Sequence, residues 1–170
     1  ETRSGSRVAG VGGGVGRGAD PNLDRVRNTG LFGTEGSPGR EYVETEEKGS
    51  YAVGDLAFYP DRLMGGVRRQ THWENAREQG LVAGANMTGK KRIRYEQIPY
   101  LWTERFDLKF DFVGDFSLQP TRVDLKGTPA KTTSVGRYYQ GDSMRAIPRW
   151  GTPPQRVKGA RTDLRKSMGA

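Results

Sequence analysis

The hydrophobic pattern of this chain changes period between residues 90 and 106, and that change limits what it can fold into. From Trp73 to Met87, apolar or small residues stand at Trp73, Ala76, Gly80, Leu81, Ala83, Gly84 and Met87, the spacing of one helix face. Thr71 and Glu74 form a capping-box signature at its start, predicting a helix from His72 to about Met87, and Gly89 with Lys90 and Lys91 marks its end. From Phe106 to Phe112 the pattern is period two. Phe106, Leu108, Phe110 and Phe112 are set against Asp107, Lys109 and Asp111, as in a half-buried antiparallel strand. Further strands are predicted over 121–125 and 133–139, another over 143–147 stopping before Pro148, and a short basic helix near 161–168. A helical stretch followed by a run of antiparallel strands is an α+β arrangement.

The region before the helix is less regular. A short apolar start, Val8 to Val11, runs into glycines between Gly12 and Gly18 that resemble a phosphate-cradling turn. Asp20-Pro21 interrupts at once, so no helix opens on the last glycine, and a strand leaving through a flexible crossover is the better reading. Residues 21–31 suit a short helix with Leu23 and Val26 on one face, and residues 32–39 are turn-rich. Residues 42–45 and 50–53 read as short strands around a polar turn. Residues 58–66 read as a loop leading to Arg68-Arg69.

Composition narrows the function classes. Only 33% of the residues are hydrophobic and 25 of the 170 are glycine, so the core is thin for the length and is expected to be completed against an obligate protein partner. The absence of cysteine excludes structural disulfides and thiolate metal sites, and a single histidine excludes a His-rich metal site. No run approaches the ~20 apolar residues of a membrane span. The first residue is Glu1, as expected of a processed chain or a piece of a longer one. From Arg145 onward seven bases stand against Asp163 alone, which places six of the eight net positive charges in residues 145–170. Such a tail suits phosphates of nucleic acid, an anionic lipid or an acidic protein face, or stays as solvated or partner-facing charge.

Three short stretches carry the chemistry. Gly54-Asp55, read at the end of a short strand, places a carboxylate where a ligand can meet it, although an Asp capping a turn looks the same. The helix opening at His72-Trp73 offers backbone N–H groups and partial positive charge. Pro99 to Thr103 puts Trp102 in an extended segment, for which core packing is the default use.

Their order, Gly-Asp, basic loop, His-Trp helix, Pro-aromatic-Trp-Thr segment and alternating strand, resembles the carboxyl-terminal third of the apoptosis-inducing-factor-like and ferredoxin-reductase-like pyridine nucleotide–disulfide oxidoreductases. Monodehydroascorbate reductases are similar. The carrying stretches are residues 51–57, 68–89 and 98–114.

The resemblance implies a fragment of a FAD-binding Rossmann-like domain followed by a small antiparallel β-sheet with a C-terminal helix. Residues 1–20 would be a remnant of the NAD domain, 21–92 a partial FAD domain, and 93–170 an interface domain. It implies that Asp55 holds the ribityl chain of FAD with Gly54 beside it in the cofactor site, that the backbone at His72 and Trp73 faces the flavin O2 edge, and that Trp102 lies beside the isoalloxazine. None of these is an acid–base catalyst. Two departures stand out. Thr71 occupies a position that is usually Glu, and the pyrophosphate fingerprint is missing, so FAD would be shared with a partner chain. Two functions follow from this. The chain is expected to be a carboxyl-terminal subunit of a flavin-dependent NAD(P)H oxidoreductase, or a redox-inert accessory subunit of a large mitochondrial assembly.

Overall fold

The computed structural model describes residues 20–24, 26–31, 37–90, 92–127, 133–151 and 157–169. The glycine-rich stretch between Gly12 and Gly18 lies outside them. Three short strands, β1 (Ser37–Pro38), β2 (Ala57–Pro60) and β3 (Val67–Arg68), form a small sheet in which β1 and β2 are parallel and β2 and β3 antiparallel. Helix α1 (Trp73–Met87) follows. Strands β4 (Tyr100–Arg105), β5 (Leu108–Gly114), β6 (Arg122–Gly127), β7 (Ser134–Gln140) and β8 (Ser143–Trp150) make a five-stranded antiparallel sheet in the order β4-β5-β8-β7-β6. Helix α2 (Val157–Ser167) packs on β5 and β8. The α+β class predicted from the pattern is the class observed.

Several local expectations shift. The strand expected over 50–53 reduces to a single bridge between Tyr51 and Glu44. The strand lies instead after Asp55, where a loop was expected, because Gly54 at φ +71° turns the chain and the Gly39 N–H then meets the Phe58 carbonyl at 2.6 Å. The helix expected over 21–31 is a single 3-10 turn at Arg27–Thr29.

Phe106 is not in a strand. Arg105 pairs with Leu108, so Phe106 and Asp107 form a two-residue hairpin turn, and Phe106 sits there fully exposed at φ +52°. Strand β8 does not stop at Pro148. It runs through to Trp150 because Gly136 leaves room for the ring on the neighbouring strand, where a Cβ would stand 2.9 Å from Pro148 Cγ.

The largest departure is which faces are buried. In β5 the buried side chains are those of Asp111 and Val113, with Gly114 buried at the strand's end, while Phe110 and Phe112 are half-buried on the other side. In α1 the buried residues are Asn75, Gln79, Ala83 and Asn86, whereas Trp73, Leu81 and Met87 are exposed. The buried positions recur at intervals of four, four and three, and the three polar ones grip the chain around them. Gln79 Oε1 accepts the Gly54 N–H at 2.7 Å. Asn75 Oδ1 accepts from the Tyr95 hydroxyl at 2.8 Å. The Asn86 amide meets the carbonyls of Tyr42 and Ile93 and the Ile93 N–H. These bonds satisfy loop backbone that no strand reaches.

Two apolar clusters result. Val43, Tyr59, Ala83 and Tyr95 lie beneath α1, and Met64, Ile98, Val113, Met144, Ile147, Ala160 and Leu164 lie between the five-stranded sheet and α2. Charged contacts join them. Arg68 Nη2 meets Asp115 Oδ2 at 2.6 Å and its Nε meets Asp61 at 3.2 Å. Arg145 reaches both Asp115 and the Met64 carbonyl.

Candidate functional site

The residues singled out in the sequence converge at the N-terminus of α1. Gly54 begins a 3-10 turn over Gly54–Leu56, and a Cβ on it would come within 3.2 Å of Ala76 Cβ. Its positive φ and this close approach tie the Gly-Asp turn to the first turns of the helix. Asp55 is exposed, and Arg69 Nη1 donates to its carbonyl at 3.1 Å.

The helix cap differs from the expected capping box. His72, not Thr71, is the N-cap residue, and its Nδ1 accepts the Asn75 N–H at 3.3 Å. Glu74 turns away to pair with Arg161 at 2.6 Å. Since Nδ1 accepts, Nε2 carries the proton and donates to Gln70 Oε1 at 3.0 Å. Burial pushes the His72 pKa below its ordinary value, with Arg161 adding to the shift and Asp55 opposing it. The cap takes the third helical N–H, and the Ala76 N–H goes to the His72 carbonyl. Among the described residues nothing accepts from the N–H groups of Trp73 and Glu74, which remain the open donors of the first turn.

Trp73 and Trp102 meet edge to face, with centroids 5.9 Å apart, and are 66% and 41% exposed. Such exposure is unusual for two indoles already in contact with each other. Tyr100 stacks on Trp102 at 5.6 Å and donates to Asp111 Oδ1 at 2.7 Å. Arg161 lies 5.5 Å from the Tyr100 ring centre. Beside the helix start lies an open cavity of about 460 Å³, with Arg68, Arg69 and His72 on one side and Leu101, Asp115 and Phe116 on the other. Buried Asp115 would be raised by desolvation, but the hydrogen bonds from Arg68 and Ser117 outweigh that and hold it well below the usual carboxylate range.

Sequence reasoning missed Gln79, Tyr100 and Arg161, the residues that hold these pieces in place. The helical spacing of Asn75, Gln79 and Asn86 was the available signal for Gln79. No local pattern marked the other two. Among the described residues no His, Asp and Glu cluster could hold a metal, and no helix is long and apolar enough to cross a membrane. The basic residues of the last segment are partly engaged within the chain. Arg161 pairs with Glu74, Arg165 donates to the Glu96 carbonyl at 2.7 Å, and Arg149 is buried.

No family model matches the chain. The ferredoxin–NAD(+) reductase component of the anthranilate 1,2-dioxygenase system of Burkholderia cepacia is 29% identical over 117 residues, which is 69% of this chain and 28% of that protein. Monodehydroascorbate reductase of Pisum sativum is 31% identical over 121 residues, 67% of this chain and 28% of that one. The chain is a partial homologue of the pyridine nucleotide–disulfide oxidoreductases. It spans about a quarter to a third of the length of these oxidoreductases. The crystal structure of a ferredoxin reductase from Rhodopseudomonas palustris shares the fold, with a TM-score of 0.76 at 24% identity over 85% of this chain and 35% of that one.

Proposed function

We propose that this chain is the carboxyl-terminal, flavin-covering part of an FAD-dependent NAD(P)H oxidoreductase, with the pyrophosphate- and nicotinamide-binding regions on a partner chain. The observation that carries this reading is the convergence of an exposed carboxylate, two open helical N–H groups and two exposed indoles, set by Gly54 against Ala76 and by Trp73 against Trp102.

The donor set fits a flavin. Asp55 would accept hydrogen bonds from the hydroxyls of the sugar chain. The Trp73 and Glu74 N–H groups, at the positive end of a fifteen-residue helix, would face the electron-rich pyrimidine edge. Trp73 and Trp102 would exclude water from the ring. The neutral imidazole of His72 keeps the helix start in register. When bound, FAD supplies hydride acceptance, and no side chain here is required to move a proton. The exposed Trp73, Leu81 and Met87 of α1 are the natural contact for the pyrophosphate- and nicotinamide-binding regions.

Thr71, exposed where the resembling family carries Glu, favours a second reading in which the chain is a redox-inert accessory subunit. One measurement separates the two. The native complex is purified with its stoichiometry established, and its visible spectrum is recorded before and after NADH. Flavin bands bleached by NADH, and lost when Asp55→Ala replaces the native chain, are expected. A colourless complex with full occupancy of this chain would overturn the enzyme reading.

A further inference from the structure

Away from the start of α1, three separate pieces of chain bring four arginines and a tyrosine together. The turn from Arg40 to Val43 closes with the Val43 N–H on the Arg40 carbonyl at 2.8 Å. Residues 92–95 are tied to this turn. The Tyr95 N–H donates to the Glu41 carbonyl at 2.8 Å, and the Asn86 amide donates to the carbonyls of both Tyr42 and Ile93. The third piece is the end of β2 and Arg62 beyond it. An open cavity of about 510 Å³ has Arg40, Arg62 and Arg92 on its wall, beside Tyr42, Pro60 and Val67. Val67 is the single lining residue it has in common with the cavity beside α1.

The arginines are held in place with donors to spare. The Arg92 guanidinium lies 4.1 Å from the Tyr42 ring centre and meets Glu44 through Nη2 at 2.8 Å. Arg94 uses its Nε, on the Tyr42 hydroxyl at 3.2 Å and on Glu41 Oε2 at 3.1 Å. Arg62 meets the same Glu41 oxygen through Nη1 at 3.0 Å. A guanidinium carries five N–H donors, so these contacts orient each fork and leave most of it open. Four arginines stand against two carboxylates, an excess of two positive charges, and among the described residues no carboxylate pairs with Arg40. The turn beneath them is strained. Val43 is fully buried at φ +56°, a conformation that a β-branched residue rarely adopts. Such strain gathers at ligand sites, where the surroundings over-determine it.

We propose that this cavity binds a phosphate monoester, with Arg40, Arg62 and Arg92 as its contacts and Tyr42 as the platform that orients Arg92. The excess of two charges matches a dianionic phosphate, and oriented guanidinium forks take its oxygens two at a time. A carboxylate would leave half of that excess uncompensated. The volume is that of a small-molecule site, larger than a bare phosphate ion needs. Pro60 and Val67 give the organic part of the ester an apolar wall. The proposal is independent of the flavin reading, since none of these arginines lines the cavity beside α1.

Titration calorimetry of the full chain with phenyl phosphate at low ionic strength tests it. Saturable binding with a Kd below about 1 mM is expected, weakening as salt is added. It should also weaken as the pH is lowered from 7.5 to 5.5, because the phosphate takes up its second proton near a pKa of about 6 while the arginines keep their charge. Phenol should not bind. Arg40→Ala and Arg92→Ala should each weaken binding at least fivefold and leave the circular dichroism unchanged, whereas Arg69→Ala, in the cavity beside α1, should leave binding intact. Absence of saturable binding at low salt overturns the proposal. So does phenol binding as tightly as its phosphate. Binding lost in Arg69→Ala but indifferent to Arg40→Ala and Arg92→Ala would overturn it too, by placing the phosphate beside α1.

Discussion

The lone pair that His72 offers the Asn75 amide exists only while Nδ1 is unprotonated. Its pKa is lowered by burial, so the folded state resists the proton that the unfolded chain accepts near pH 6.5. A depressed histidine pKa adds stability that is present above the unfolded value and is lost as pH falls through the folded one. The N-terminus of α1 should therefore loosen in mild acid, by about 1 kcal/mol, the worth of an N-cap. Amide exchange at Asn75 and Ala76 followed from pH 7.5 to 5 should show rising rates beyond the intrinsic pH effect. His72→Asn, which caps without titrating, should remove the change. If the variant and the native chain respond alike, the cap is not the titrating element. His72 was singled out in the sequence as a ligand-side residue, and its structural role could not be read there, because a cap depends on where the chain turns and not on the residue alone.

Among the elements, α1 shows where sequence patterning misleads and why. Its limits were legible to within a residue, because the helical spacing begins at Trp73 and Gly89 closes it, despite the helix-disfavouring Gly80 and Gly84 inside. Its buried face was not. Beneath the helix, β2 contributes Tyr59 to the cluster, and irregular backbone from Arg40 to Val53 and from Arg92 to Tyr95 makes up most of the remaining contact. Such backbone needs hydrogen bonds before it needs apolar cover. The amides of Asn75, Gln79 and Asn86 therefore turn inward, and the apolar stripe is left outside. The same reasoning explains β5, where register follows the short hairpin turn at Phe106 and places Asp111 inward against Tyr100.

This inversion makes a paired prediction. Asn86→Leu should cost about 2 kcal/mol, because the half-buried backbone groups at Tyr42 and Ile93 lose their partner. Leu81→Lys should stay within about 0.5 kcal/mol. Urea unfolding of the two variants should show that order, and a larger loss from Leu81→Lys would mean that the apolar stripe is the buried one.

At the scale of the whole molecule, the two apolar clusters are small and separate, and what joins them is polar. Met64 of the segment after β2 enters the cluster beneath α2, held there by the Arg145 guanidinium on its carbonyl. Arg145 and Arg68 converge on Asp115, whose carboxylate is 1% exposed and also accepts from the Ser117 hydroxyl at 2.6 Å. Nothing local in the sequence announced this bridge, since its members stand 47 and 30 residues apart.

Removing one member of a buried ion pair leaves its partner uncompensated, at a cost of about 3–5 kcal/mol. Asp115→Asn should therefore destabilise the chain by about 3 kcal/mol at neutral pH. The pH dependence has a definite sign. The carboxyl group is held below its unfolded value near 3.9, so its contribution is complete above that pH and is lost as the pH falls toward the folded value. The native chain should accordingly lose stability steeply below about pH 4, and Asp115→Asn should lack that part of the slope. Denaturant midpoints for both proteins between pH 3 and 7 decide the matter. Parallel curves would show that Asp115 is not the acid-sensitive junction between the two halves.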